Sequence, residues 1–371
     1  VTIYFVRVDS NQDGIGDTDF IINGQLVTNG VTFTSYEESP QDTDWGGINY
    51  ITAPDGQNST LYNTKIHFAY QGLHIDGHFM TLNNVEISRS HEYGLHIYNS
   101  HSTTSLTNVN IIDNGSYGMH IESGSVSING GLIFGNSDYG LEAESAVDLE
   151  INGLISSSNG SWGIKLDSVA EANLNNIQSV SNVQEGLWIS GGSSSSITSS
   201  AFASNGGYGI SITDAASNIL FDYCDIKDNS IGVRLDDSSN AIILNSNIFD
   251  HIESGLTILD DSELTLNYSN IFNNSSVSTE IDDPRSVLEL YMSGCTGSNR
   301  ASDSNVLSFG NLSVHSIDYR AHLETESCSS SDDVDLRIYD NQGNEIERWN
   351  TGSNGYSFDQ TRSNNVDLNS S

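Results

Sequence analysis

The chain has 371 residues, with 12 Lys plus Arg against 49 Asp plus Glu and a net charge of −37. Such a surface repels phosphate and anionic lipid, which excludes a nucleic-acid binder and a protein that docks on acidic membranes. With 34 Gly, 3 Pro and no apolar run of 18 residues, the composition fits short strands and tight turns and gives no membrane-spanning segment.

Residues 1–20 open with a strand-like run, VTIYFVRV, and continue with DSNQDGIGDTD at 9–19. Oxygen-bearing side chains fall at Asp9, Asn11, Asp13 and Asp17, Gly14 permits a sharp turn, and the Ile15 carbonyl and Asp19 complete a cage of oxygens. Hard oxygen ligands in that spacing suit Ca²⁺. The loop resembles the D-x-D-x-D-G loops of EF-hands and of thrombospondin type 3 repeats. It departs from the EF-hand because Phe20 stands where the bidentate Glu belongs and no helix flanks it. A solvated Asp/Asn turn is the other reading. The expected role is structural, as a cap on the N-terminal end of a solenoid.

Residues 21–283 repeat one phrase, Gly–apolar–any–apolar, nine times: at Gly72, Gly94, Gly118, Gly140, Gly163, Gly186, Gly209, Gly232 and Gly255. The spacings are 22, 24, 22 and then 23 residues five times, which is the signature of a solenoid. Apolar residues alternate with period two, so the elements are strands and no helix is expected. A unit of about 23 residues cannot bury its own apolar side chains, but stacked copies can, and the predicted fold is an all-β parallel β-helix. Asn stands four residues before the Gly at Asn114, Asn136, Asn159, Asn182 and Asn205. Left-handed turns and an amide ladder explain that column. An aromatic residue precedes the Gly at Tyr93, Tyr117, Tyr139, Trp162 and Tyr208, expected as a structural stack.

These phrases, with INGQLVTNGVTFTS (22–35) and DWGGINY (44–50), resemble the right-handed parallel β-helix repeats of bacterial surface and secreted proteins, the pectate-lyase-like superfamily. The resemblance covers roughly residues 20–283. It implies the right-handed sense and an extracellular, secreted or cell-surface location. It is weak on activity, because lyases, hydrolases, epimerases, phage spikes and adhesins share the fold.

Within each phrase the residues at Gly+1 and Gly+3 face the core, so Gly+2 and Gly+4 face outward. The outward columns carry His74, His96, His120, Glu142, Lys165 and Trp188 in one row, and Tyr98, Glu122, Glu144 and Asp167 in the other. Aromatics, imidazoles and carboxylates in rows suit a glycan, held by ring stacking and hydroxyl bonds. A plain solvated sheet face and a metal ladder through the three histidines are the alternatives. Asp236–Asp237 and Asp260–Asp261 lie in neighbouring turns and read as solvated or as a weak calcium site.

After Pro284 the period stops, and residues 284–371 alternate apolar and polar with a hairpin at Asn341–Asn344, as in a small β-sandwich. Cys224 aligns with apolar Val109 and reads as a buried thiol. Cys295 and Cys328 are candidates for a disulfide. A start inside a strand and a polar end fit an excerpt of a longer exported protein.

The function expected is therefore a calcium-stabilised extracellular β-helix module acting in adhesion, matrix or surface structure, with glycan binding on the outward face. The rival is a polysaccharide-active enzyme using that same face, and a spacer without ligand is a third reading. Self-assembly with copies or with neighbouring domains is left open.

Overall fold

A computed structural model describes residues 1–51, 58–77, 80–98, 103–260 and 262–281, apart from 268, 273 and 275–278, and beyond 281 describes strand segments only. The chain divides into two compact units, Val1–Gly207 and Tyr208–Ser371. All described elements are strands, and the solenoid repeats about every 23 residues.

In the first unit one sheet is built from Asp19–Ile22, Gly47–Ile51, Leu73–Asp76, Leu95–Tyr98, Met119–Ile121, Leu141–Glu144, Ile164–Asp167 and Leu187–Ser190. Every neighbour pair is parallel and in register. His96 lies opposite His74 and His120, His120 opposite Glu142, Glu142 opposite Lys165, and Lys165 opposite Trp188. The strands are short because each turn of the coil must bend away after three to five residues. The Gly+1 and Gly+3 side chains form the core: Leu95, Ile97, Met119, Ile121, Leu141, Ala143, Ile164 and Leu166 are all at most 1% exposed. Each large aliphatic side chain buried in this way contributes about 1.5–3 kcal/mol.

The Asn column is a buried ladder. Asn114 Nδ2 donates to Asn136 Oδ1 at 2.8 Å, and Asn136 and Asn159 each donate onward at 3.0 Å, to Asn159 and Asn182. The backbone amides of the same residues donate to the same oxygens at 3.1–3.2 Å. The left-handed backbone expected at these asparagines lies one residue earlier, at Asp113, Ser158, Ser181 and Ser204. The repeated glycine is required by space. A Cβ on Gly118 would stand 2.7 Å from Asn136 Nδ2 and 2.6 Å from Ile133 Cγ2, so the ladder and the core leave room for hydrogen only.

At the N-terminal end, Thr2–Phe5 pairs in parallel with Thr32–Ser35. Phe5 stacks on Trp45 at 4.0 Å with planes 2° apart, and Phe20 and Phe33 pack around Phe5. The Trp45 indole N–H donates to the His67 carbonyl, so the polar edge of a fully buried ring is satisfied.

The second unit repeats the pattern. Tyr208–Ile212, Ile231–Leu235, Leu256–Ile258 and Thr279–Ile281 form a parallel sheet. Cys224 is buried, as its alignment with Val109 predicts. Parallel pairing runs on past residue 283: Val287–Ser293 adds to Glu263–Asn267, and Ile317–Glu324 adds to Val287–Ser293. Ser357–Asn364 then pairs antiparallel with Ile317–Glu324, and Asp335–Tyr339 with Glu345–Asn350. The side-chain packing of the expected β-sandwich, the turn at 341–344, Cys295 and Cys328 lie outside the described residues.

Candidate functional site

The outward face of the sheet in the first unit gathers the predicted residues, but it is not an open row of histidines. His96 and His120 are only 9% and 7% exposed. The aromatic column covers them. Tyr93 stacks on His96 at 4.9 Å and lies 5.5 Å from His120, and Tyr117 stacks on His120 at 5.2 Å. The residue before each glycine turns back over the face, which strand alternation alone does not reveal.

These rings form one row, stacked from Tyr93 to Tyr117 and from Tyr139 to Trp188, with a tilt of 58° between Tyr117 and Tyr139. Tyr93, Tyr117, Tyr139, Trp162 and Trp188 succeed one another at centroid spacings of 5.2, 4.8, 4.7 and 5.5 Å. Lys165 lies beside the far half of it, its Nζ 5.4, 5.3 and 5.2 Å from the rings of Tyr139, Trp162 and Trp188. The ring faces are therefore spent on one another and on the ammonium group. Ring edges, phenolic hydroxyls and carboxylates remain for a ligand. Burial raises the phenols of Tyr93, Tyr117 and Tyr139, so all three stay protonated donors at neutral pH.

The polar residues sort into two groups. In the first, His96 Nε2 meets Glu122 Oε1 at 2.8 Å while its Nδ1 meets His74 Nδ1 at 2.9 Å. A carboxylate accepts, so His96 donates through Nε2 and accepts at Nδ1 from His74. Burial lowers the affinity of both rings for a proton, and each faces a like neighbour that lowers it further, His96 for His74 and His120 for His96. The two imidazoles are in direct hydrogen-bond contact, and His96, His120 and Glu122 also lie close enough to share an ion.

In the second group Lys165 Nζ donates to Glu142 Oε1 at 2.7 Å. Glu142 is 2% exposed. Burial pushes its carboxyl up to about 7 against the pull of Lys165, and Glu144 adds to the rise. Burial also pulls Lys165 down, but the hydrogen bond and charge of Glu142 outweigh it and hold the ammonium above its usual range. His120 stands between the groups, its Nδ1 3.8 Å from Glu122 Oε1 and its Nε2 3.6 Å from Glu142 Oε2 and 4.0 Å from Glu144 Oε2. Tyr98 and Asp167 lie on the same face, Tyr98 exposed and Asp167 accepting from Ser190 Oγ at 3.2 Å.

The N-terminal loop folds around its own amides. The Gly14 N–H donates to Asp9 Oδ2 at 3.1 Å, Ile15 N–H to Asp13 Oδ1 at 2.9 Å, and Asp13 N–H to Asn11 Oδ1 at 3.1 Å. Asp17 accepts from the Ser10 hydroxyl and amide, which holds its carboxyl below the usual range. Asp19 begins a strand and packs against Gly46. Burial and the charge of Asp17 raise its carboxyl. Asp9 Oδ1 is buried without a hydrogen-bond partner. Arg7 lies 3.7 Å from the other Asp9 oxygen and donates to the Gly14 carbonyl at 2.8 Å.

In the second unit Asp236, Asp237 and Asp260 come together, with Arg234 paired to Asp236 and Thr213 donating to Asp237 at 2.7 Å.

Against known proteins, the sequence matches the family described as right-handed beta helix region over residues 46–202 and 149–296. The chain belongs to this family. The right-handed sense of the coil is a consequence of that membership. Among solved structures the β-helix is similar to a mutant of the periplasmic alginate epimerase AlgG, with 16% identity, a TM-score of 0.53, and coverage of 74% of this chain and 70% of that one. The A-module of the Azotobacter vinelandii mannuronan C-5 epimerase matches at 14% identity and a TM-score of 0.41, covering 76% of this chain and 87% of that one. Pectate lyase Pel9A matches at 13% identity and a TM-score of 0.32, covering 82% and 80%. At 16% identity the likeness to the AlgG structure is one of fold alone. No curated protein matches the sequence significantly.

Proposed function

We propose that the chain is the β-helix module of an exported surface or secreted protein, and that it binds a polysaccharide along the face running from His74 to Trp188. The observation that carries this reading is the pair of parallel rows on that face. One is the row of rings from Tyr93 to Trp188, and the other is the run of imidazoles and carboxylates beside it. Both rows repeat once per turn, about every 4.8 Å. A ligand that is itself a repeating chain of hydroxylated rings matches a surface that repeats in this way. Phenolic donors and carboxylate acceptors suit sugar hydroxyls. The periplasmic epimerase AlgG, which shares this coil, acts by its name on alginate, itself a polysaccharide.

Charge narrows the ligand. In the described part of this face the one cation is Lys165, and Glu142 already holds it. With a net charge of −37, the module favours a neutral polysaccharide over an anionic one unless calcium bridges the two. Calcium in the loop at Asp9, Asn11, Asp13, Ile15, Asp17 and Asp19 belongs to the same proposal, supported by the unpartnered Asp9 oxygen.

A second reading, turnover of the bound polysaccharide, has one observation in its favour. Glu142 and Glu144 share one site beside His120, as acid–base pairs do. A panel of neutral and anionic polysaccharides separates the readings when incubated with the protein in calcium. Retention without new oligosaccharides by mass spectrometry is the expected result. New products make the protein an enzyme, and neither retention nor products removes the proposal.

A further inference from the structure

We infer that His120, Glu142 and Glu144 form a binding site for one divalent transition-metal ion of the zinc class. The decisive observation is His120 itself. The residue is 93% removed from solvent, yet neither ring nitrogen has a hydrogen-bond partner. An imidazole buried with two idle nitrogens forfeits the hydrogen bonds that water would give it and is destabilising unless something fills their place. The carboxylates around it are near but too far to repair the loss. Nε2 stands 3.6 Å from Glu142 Oε2 and 4.0 Å from Glu144 Oε2.

Those separations are close to what an ion would ask for. Bonds of about 2.0–2.1 Å in a tetrahedron place neighbouring ligand atoms roughly 3.3–3.4 Å apart. The three ligand atoms lie within 4.8 Å of one another, and closing the two His120 edges from 3.6 and 4.0 Å to that spacing takes shifts of roughly 0.2–0.7 Å. Two carboxylates aimed at the same point also repel each other unless a proton or a cation lies between them.

The surroundings fit as well. The second oxygen of Glu142 is fixed by Lys165 at 2.7 Å, which orients the first toward His120. His120 Nδ1 faces the Glu122 carboxylate at 3.8 Å, the position from which a carboxylate orients a metal-bound imidazole. The stacked rings of Tyr93 and Tyr117 hold the imidazole in its plane. The Glu144 side chain is 43% exposed, which leaves an entry path and a fourth position for water or a ligand hydroxyl. A nitrogen ligand in the set selects zinc-class ions over calcium and magnesium, which prefer oxygen alone. The neighbouring His96–Glu122 pair is joined by a hydrogen bond of 2.8 Å. This site does not depend on the polysaccharide reading.

Calorimetric titration of the full chain with Zn²⁺, in millimolar calcium to fill oxygen-only sites, tests the inference. One zinc per chain is expected, and Co²⁺ in its place should give visible d–d absorption. His120→Ala and Glu144→Gln should each weaken binding about tenfold or more. Should His120→Ala fail to fold, Glu144→Gln decides, because its half-exposed side chain tolerates the change. No zinc binding in calcium, or full binding by a folded Glu144→Gln chain, overturns the site.

Discussion

The backbone amide of Asn229 donates to Nδ1 of His251 at 3.2 Å, and the opposite nitrogen of that ring meets the Ile226 carbonyl at 3.1 Å. His251 is 1% exposed. It takes the place that asparagine holds in the other turns, and its own amide donates to Asn274 Oδ1 at 3.1 Å. A histidine can serve here because the neutral ring offers one acceptor and one donor, as an amide does. Burial pulls its pKa down to about 4, and an amide pointing at Nδ1 also favours the neutral ring. In the unfolded chain the same ring takes a proton near 6.5. Between those values the unfolded state binds the extra proton, so stability falls as pH drops from about 6.5 to 4, by up to about 3 kcal/mol. His251→Asn should remove that part of the decline. Urea unfolding at several pH values checks it, and parallel curves for both chains would count against it.

The amide ladder of the first unit gives a prediction without titration. Asn159 is fully buried, and its side chain both accepts from Asn136 and donates to Asn182. Asn159→Ala takes away the oxygen to which the Asn136 backbone and side-chain N–H groups both donate, while the Asn182 oxygen keeps only the Asn159 backbone amide, with no water to replace the lost partners. The expected loss is about 2–4 kcal/mol. An exposed asparagine of the outer ladder, Asn175, bonds to Asn152 at 2.9 Å in reach of solvent. Asn175→Ala should cost well under half as much. Chemical denaturation of the two variants side by side measures the contrast.

The columns of the candidate site are legible in the sequence because a parallel, in-register coil turns a spacing of 23 residues into adjacency. His96 beside His120 and Glu142 beside Lys165 result from counting. The cover over those columns is not legible. Tyr93 and Tyr117 sit in turns, and whether a turn side chain folds over the sheet or away from it depends on backbone angles that no periodicity encodes. Burial of His96 and His120 depends on that one unknown. The same limit hides the left-handed residues. The Asn column marks the turn, but Ser158, and not Asn159, adopts the positive φ, because the asparagine must point inward to bond its neighbours. His251 is invisible to a column defined by residue type, because the property kept through the turns is hydrogen-bonding valence. In the second unit, Val287–Ser293 continues the parallel pairing although no glycine phrase announces it.

The aromatic stack yields a binding prediction that separates two ways of holding a sugar. Trp162 lies 4.7 Å from Tyr139 and 5.5 Å from Trp188, so its faces are covered by neighbouring rings. Trp162→Ala uncovers both neighbours and frees Lys165 from one of its three rings. If the stack works by positioning phenols and Lys165, affinity for a retained polysaccharide should fall about tenfold, roughly 1.4 kcal/mol. Tyr117→Phe, which keeps the stack and removes one hydroxyl, should cost less, about 0.5–1.5 kcal/mol. Titration read by tryptophan fluorescence measures both, and an unchanged affinity in Trp162→Ala would move the binding surface elsewhere.

The N-terminal loop sets an arginine against an ion. Arg7 reaches the Gly14 carbonyl at 2.8 Å and lies 3.7 Å from both Asp9 and Asp44. A carbonyl and a carboxylate held by a guanidinium are less available to Ca²⁺, so filling the loop requires Arg7 to swing away. Chelation of metal-loaded protein should lower the melting temperature by several degrees, since an ion bound only to the folded state stabilises it in proportion to the logarithm of its saturation. Arg7→Ala should tighten calcium binding by about tenfold, because a competing positive charge is gone, while lowering the metal-free stability because the buried Asp44, which keeps its hydrogen bonds from Ser35 and Gln41, loses the one cation beside it in the described structure. Asp13→Ala, which deletes a central ligand, should abolish the response to chelation. Melting curves of the three proteins with calcium and with chelator test the set. Identical curves for the wild-type chain in the two conditions, in protein first shown to carry the ion, would leave the loop as an Asp/Asn turn closed by Arg7.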